Sequence, residues 1–208
     1  VTSSPRGNRG VAKLFADKAV EGDPDYGLVV SSSYENPGIS DEYRAAMEST
    51  MSDEQDATWL ALAVDLATQN VAEGGGPFGA VLVKGDELVA TGQNRVTRDL
   101  DPSAHAEVVA IRAACRAIGD FSLAGLTLYS SCEPCPMCLA TSLWSRVDRV
   151  VFAADRDDAA RGGFDDREFY ELFSRDRATW GTTVQATRTA DASSPFDAWL
   201  SHAARTAY

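Results

Sequence analysis

Apolar residues recur at helical spacing from Ala57 onward, at Trp59, Leu60, Ala63, Val64, Ala67 and Val71. That rhythm predicts a helix with one buried face, stopped by Gly74-Gly75-Gly76-Pro77. The period then shortens to two. Phe78–Lys84 and Glu87–Thr91 read as strands joined by a hairpin at Gly85-Asp86. Ser103 predicts the cap of a helix from about Ala104 to Ile118, with Val108, Ile111, Cys115 and Ile118 inward. Leu126–Ser131 predicts a strand. A helix follows from Cys135 or Pro136 to about Ser145, proline being well suited to a first helical turn. Arg149–Ala154 reads as a strand, Asp157–Arg161 and Asp166–Phe173 as short helices, and Thr182–Arg188 as a fifth strand. Pro195–Ala207 closes the chain as a helix carrying Phe196, Trp199 and Leu200. This order predicts an α/β fold, a three-layer α/β/α sandwich around a mixed five-stranded sheet.

The first 54 residues break the pattern. Ser-Ser-Pro, Gly-Asn-Arg-Gly, Gly-Asp-Pro-Asp and Glu-Asn-Pro-Gly are turn and loop signals, and only Val11–Val20 and Asp41–Ser49 suit short helices. The expectation is a weakly ordered N-terminal extension over 1–54, with Met51 a candidate true start, ahead of one domain over 55–208.

Charge narrows the partners. Thirty-one acids against 19 bases give a net charge of −12. The bases form no run or stripe of the kind that replaces counterions on a nucleic-acid backbone. A small-molecule substrate is therefore expected, rather than a nucleic acid. No apolar run reaches membrane-spanning length and no secretory signal is recognised, so cytoplasmic residence is expected. Of the four cysteines, Cys132, Cys135 and Cys138 fall within seven residues, a cluster that points to metal rather than to disulfides.

His105-Ala106-Glu107 and Pro134-Cys135-Pro136-Met137-Cys138 supply the candidate chemistry. One imidazole and two thiolates give zinc three ligands and leave a tetrahedral position open for water. Cys135 and Cys138 lie a turn apart at a helix start, where the helix N-terminus favours thiolates. Glu107 is then the acid/base beside the activated water rather than a fourth ligand. A purely structural zinc site would need another ligand, and Cys132 is the only nearby candidate. Cys115 reads as a core residue and His202 as part of a surface or interface. The H-x-E…P-C-x-x-C pattern is that of zinc-dependent base deaminases.

These residues resemble the cytidine-deaminase-like superfamily, and within it the bacterial guanine deaminases. The resemblance runs from about Thr58 to Tyr208. It takes in Gly75-Gly76-Pro77-Phe78-Gly79-Ala80, Gly92-Gln93-Asn94, Asp101-Pro102 through Ile111, Ser131 through Cys138, Gly163-Phe164-Asp165-Asp166, Ser194-Pro195-Phe196 to Trp199, and Tyr208. The zinc motif is specific for the superfamily; Gly-Phe-Asp-Asp and the C-terminal tyrosine favour the guanine branch. The resemblance implies that guanine and water give xanthine and ammonia, with attack at C2. Glu107 would protonate N3 and, with Asp166, the departing amine. Phe78 would stack on the purine, while Asn94 and the N–H of Ala106 bond its polar edge. Asp166 would address the 2-amino group and Trp144 would line the pocket. A homodimer is also implied, with an exchanged C-terminal segment that sets Tyr208 of one subunit over the pocket of the other. Guanosine, another aminopurine or an amino-triazine stand as alternative substrates. A tRNA adenosine deaminase and a non-catalytic zinc module are the more distant alternatives.

Overall fold

The computed structural model describes residues 41–206, with side chains from 52 onward. The expected helix at Val11–Val20, most of the expected extension, and Tyr208 lie outside the described residues. The chain divides into two units, Val1–Gln55 and Asp56–Tyr208, and the packing described below is that of the second. Helix α1 (Asp41–Ala72) is continuous where two separate helices, at 41–49 and from 57, were expected. Strands β1 (Gly79–Lys84) and β2 (Glu87–Gln93) form the hairpin. A short α2 (Val96–Asp99) precedes α3 (Ala106–Ile118), β3 (Thr127–Cys132), α4 (Pro136–Trp144) and β4 (Arg149–Ala154). Then come α5 (Arg156–Arg161), α6 (Arg167–Leu172), a 3-10 turn (Arg177–Thr179) and α7 (Ser194–Ser201).

The sheet order is β2-β1-β3-β4, with β1 antiparallel to both neighbours and β3 parallel to β4. It is mixed, as expected, but four-stranded. The fifth strand expected at Thr182–Arg188 does not form. Those residues pair with none of the four strands and stand exposed, and a β pattern without a neighbour has no ladder to join.

Alternation along β1 splits the core into two layers. Ala80 and Leu82 face α3 and pack with Ala106, Ala110, Ile111 and Ala114. Val81 and Val83, with Tyr129, face α1 and its Trp59, Leu60, Leu62 and Leu66. Both helices lie close on the sheet because glycines meet them. A Cβ on Gly92 would strike the backbone of Ala106 and Ala110, and one on Gly79 the backbone of Ala63 and Ala67.

The expected faces hold at Trp59, Leu60, Ala63 and Ala67 on α1 and at Val108 and Ile111 on α3, but not throughout. On α1, Val64 and Val71 are exposed, while Leu66 and Asn70 turn inward, because the sheet meets the Ala63–Ala67 side. On α3 the alanines face the sheet and Ile118 is exposed. Ser103 does not cap α3. Its N–H and hydroxyl bond Asp101 Oδ1 at 2.8 and 2.7 Å, and the N-cap position falls to His105. The last helix stops at Ser201 because His202 takes an extended ψ of 107°. No helix among the described residues is long and apolar enough to cross a membrane.

Candidate active site

His105 and Cys135 hold equivalent places in two helices. Each is an N-cap with an extended backbone, ψ 157° and 165°, at the start of α3 and α4. Neither side chain caps its own helix, so both are free to meet. Cys138 follows within the first turn of α4, on the buried side. His105 Nδ1 lies 3.6 Å from Cys135 Sγ and 3.5 Å from Cys138 Sγ, and the three ligand atoms all fall within 4.8 Å of one another. A tetrahedral zinc, about 2.3 Å from sulfur and about 2.0 Å from nitrogen, sets sulfur and nitrogen roughly 3.5 Å apart. The group fits the ion. Cys132 stands outside it, its thiol 3.5 Å from the carbonyl of Asp155. Cys115 packs against the α3 core layer, and His202 is exposed.

Glu107, two residues beyond His105, is buried. Its Oε1 accepts from Ser130 Oγ and its Oε2 from Cys138 Sγ, both at 3.4 Å. Burial raises its pKa above the usual carboxylate value, and the charge on Cys135 adds to the rise. The neighbouring Cys138 thiol brings the pKa of Cys135 down to about 4, while Cys135 and burial push that of Cys138 up.

The site opens into a cavity of about 560 Å³. His105, Glu107 and Cys135 line it together with Phe78, Asn94 and Asp166, which gathers residues from five separated stretches of chain. Phe78 meets Phe164 edge to face at 5.0 Å between ring centroids. Asn94 Oδ1 accepts weakly from Val96 N at 3.3 Å. Asp166 Oδ1 is buried without a hydrogen-bond partner among the described residues. Burial, and after it the charge of Cys135, raise the pKa of Asp166. Ala106 is buried at the first position of α3, where a backbone N–H has no partner within the helix.

Trp144 stands apart. It ends α4 exposed and outside the cavity lining, with the Arg146 guanidinium 5.7 Å from its ring. It lies about 200° round the helix from the buried Ser142, so the rotation that turns Cys138 inward turns Trp144 out.

Residues 53–154 match the family described as the cytidine and deoxycytidylate deaminase zinc-binding region. The guanine deaminase of Bacillus subtilis (strain 168) is 45% identical over 152 residues, covering 73% of this chain and 97% of that one. The chain belongs to the guanine deaminase family. A crystal structure of guanine deaminase from Bacillus subtilis superposes with a TM-score of 0.71 at 44% identity, over 73% of this chain and 98% of that one. A solved guanine deaminase from Nitrosomonas europaea is 34% identical, with a TM-score of 0.50, over 52% of this chain and 63% of that one. The tRNA-specific adenosine deaminase of Bacillus subtilis matches less of the chain, at 41% identity over 100 residues, 48% of this chain and 62% of that one.

For a member of the guanine deaminase family, one supporting cluster at the site carried no usable signal in the sequence. Glu133 lines the cavity and is tied to Arg156 by a bidentate ion pair, with the Arg156 guanidinium 3.8 Å from the centroid of the Tyr170 ring. The Tyr170 hydroxyl donates to the carbonyl of Pro134 at 2.8 Å. This cluster braces the loop that presents Cys135. Its members are 14 or more positions apart in sequence, with no spacing rule to flag them.

Proposed function

We propose that this chain hydrolyses guanine to xanthine and ammonia. One observation carries the reading: a buried Glu107 beside a His-Cys-Cys group shares a single cavity with a second carboxylate, Asp166, whose Oδ1 is buried without a partner among the described residues. Similarity to a guanine deaminase over 73% of this chain and 97% of that one supports the choice of substrate. His105, Cys135 and Cys138 would hold the zinc, which would supply a Lewis acid able to lower the pKa of water towards about 7. Glu107, buried and of raised pKa, takes a proton from the attacking water and delivers it to N3 as C2 becomes tetrahedral. Glu107 then takes the remaining proton from the new C2 hydroxyl and, with Asp166, passes it to the 2-amino group, which leaves as ammonia as the C2 carbonyl forms. Phe78 packs on the ring plane, and Asn94 and the free N–H of Ala106 bond the polar edge of the base. Asp166 faces the 2-amino group.

The active assembly is a homodimer with an exchanged C-terminal segment, in which Tyr208 of the partner subunit covers the cavity. Exposed Leu143 and Trp144 on α4, and Phe196 and Leu200 on α7, supply apolar surface suited to such an interface. The contribution of Trp144 to the pocket belongs to that assembly. Catalysis resides in 55–208, and residues 1–54 form an extension outside it. The cytoplasm, which keeps thiolate ligands reduced, is the compartment the zinc group suits.

Ammonia release from guanine, guanosine, adenine, cytosine and ammeline by zinc-loaded protein tests the reading. A profile led by guanine is expected; one led by guanosine would replace the closed, base-sized pocket with an open one.

A further inference from the structure

Asn70 is fully buried on the face of α1 that otherwise presents alanines and leucines. It does not line the cavity, yet its amide is fully engaged. Nδ2 donates to the carbonyl of Gly76 and to the carbonyl of Asn94, each at 2.8 Å. Oδ1 accepts from Arg98 at 3.4 Å, and Arg98 is held in turn by Glu73 at 3.2 Å. The backbone carbonyl of Asn70 also takes the N–H of Gly75 at 2.8 Å.

The two acceptors of that amide belong to two walls of the cavity. Gly76 sits two residues before Phe78, and Asn94 is the cavity's own side-chain amide. A backbone bond from Asn94 N to Phe78 O, 3.0 Å, joins the same two segments. Packing alone does not call for an amide here, since a leucine would continue the apolar face, and a buried amide is costly unless its donors are met. The neighbouring chain makes room for it. A Cβ on Gly75 would overlap the Asn70 amide, and one on Gly76 would come within 3.1 Å of Asn94 Oδ1.

We infer that Asn70 is a positioning residue for base recognition: its two donors fix the spacing between the ring-stacking Phe78 and the edge-reading Asn94. The inference rests on the guanine reading and deepens it. The zinc ligands and Glu107 lie outside this clamp, because α3 and α4 carry them. Disturbing Asn70 therefore weakens capture of the base more than the proton transfers.

The test is steady-state kinetics on guanine, with zinc content and melting temperature, for the wild type, Asn70→Ser, Gly75→Ala, Asn94→Ala and the Asn70→Ser/Asn94→Ala pair. In Asn70→Ser, KM is expected to rise roughly ten- to a hundredfold, the scale of loss from a misplacement of about 1 Å. Its kcat is expected to change far less, with zinc retained. Gly75→Ala, which pushes on the same amide, should give the same split and serves if Asn70→Ser does not fold. The double variant should lose less in kcat/KM than the sum of its parts, as coupled residues do. Folded variants with unchanged KM, kcat and zinc falling together, or strictly additive losses overturn the inference while leaving guanine turnover intact. Failure of both Asn70→Ser and Gly75→Ala to fold assigns Asn70 to the core alone and also overturns it. A wild type that leaves guanine untouched removes the guanine reading and this inference together.

Discussion

A carboxylate buried as Glu107 is holds a proton more readily than one in water, because burial disfavours its charge and outweighs the opposing hydrogen bond from Cys138. Glu107→Gln keeps the shape and removes the titration. Its kcat should fall by about 10²–10⁴-fold, the usual worth of general acid–base catalysis, while a metal assay still finds zinc. Undiminished turnover would show that the proton travels by another route. Asp166→Asn, at a residue that touches no metal ligand's hydrogen bond, should lower kcat with zinc and fold unchanged, as read by the same assay and by melting. The zinc ligands were legible because His-x-Glu and Cys-x-x-Cys are local patterns whose geometry follows from a single helical turn. Asp166 was legible only through family likeness, since its approach to the cavity depends on where α6 begins. Asn70 was not legible at all. Reading a helix face by its apolar residues assigns an amide to solvent, and only the fold reveals that two carbonyls from other segments wait for it.

At the level of elements, α1 is tied to the sheet by charge as well as by apolar contact. Asp56 pairs with Arg149 at the start of β4 and accepts from the Tyr129 hydroxyl on β3 at 2.7 Å. The Arg149 hydrogen bond lowers the Asp56 pKa below its ordinary value of 3.8. A depressed carboxylate stabilises the fold above its unfolded pKa, and that stability is lost as pH falls through the folded value. The melting-temperature gap between wild type and Asp56→Asn should therefore be full at neutral pH and close only below 3.8. Comparing the two proteins at each pH cancels acid effects on the zinc group. Gly92→Ala presses β2 against α3, an overpacking that costs roughly 1–3 kcal/mol or more. Because α3 carries His105 and Glu107, zinc occupancy should fall along with melting temperature, and a metal assay on purified protein reads it directly. The hairpin, β3, α4 and β4 were legible from period and turn chemistry. The buried faces of α1 and α3 were legible in part, at Ala63, Ala67, Val108 and Ile111; Ala106, Ala110 and Ala114 on α3 were not, because small residues mark the closest approach of helix to sheet. The failed strand at 182–188 has a different origin: alternation describes a segment that can pair, whereas pairing depends on a neighbour.

At the scale of the whole chain, the 152 residues shared with the Bacillus subtilis enzyme account for nearly all of that enzyme and leave about a quarter of this chain unmatched. A variant lacking residues 1–50 should keep its zinc and turn guanine over at the full-length rate; a large drop in kcat/KM would give the N-terminal region a part in catalysis. Sedimentation of the full chain should report a dimer, and removal of Tyr208 should weaken guanine turnover while leaving the melting temperature intact. The layered packing also bears on how this sequence can vary over descent. Gly75, Gly79 and Gly92 have ordinary backbone angles, yet each would drive a methyl group into a neighbouring amide or helix backbone. Gly85 and Gly119 have φ of 58° and 78° with open space around them. A saturation scan should thus find two kinds of glycine. The first three should lose stability or activity even with alanine, while the other two admit asparagine, the side chain that best tolerates a left-handed backbone. Lineages of this enzyme are then free to drift at their turns and held fixed, by volume alone, where the layers touch.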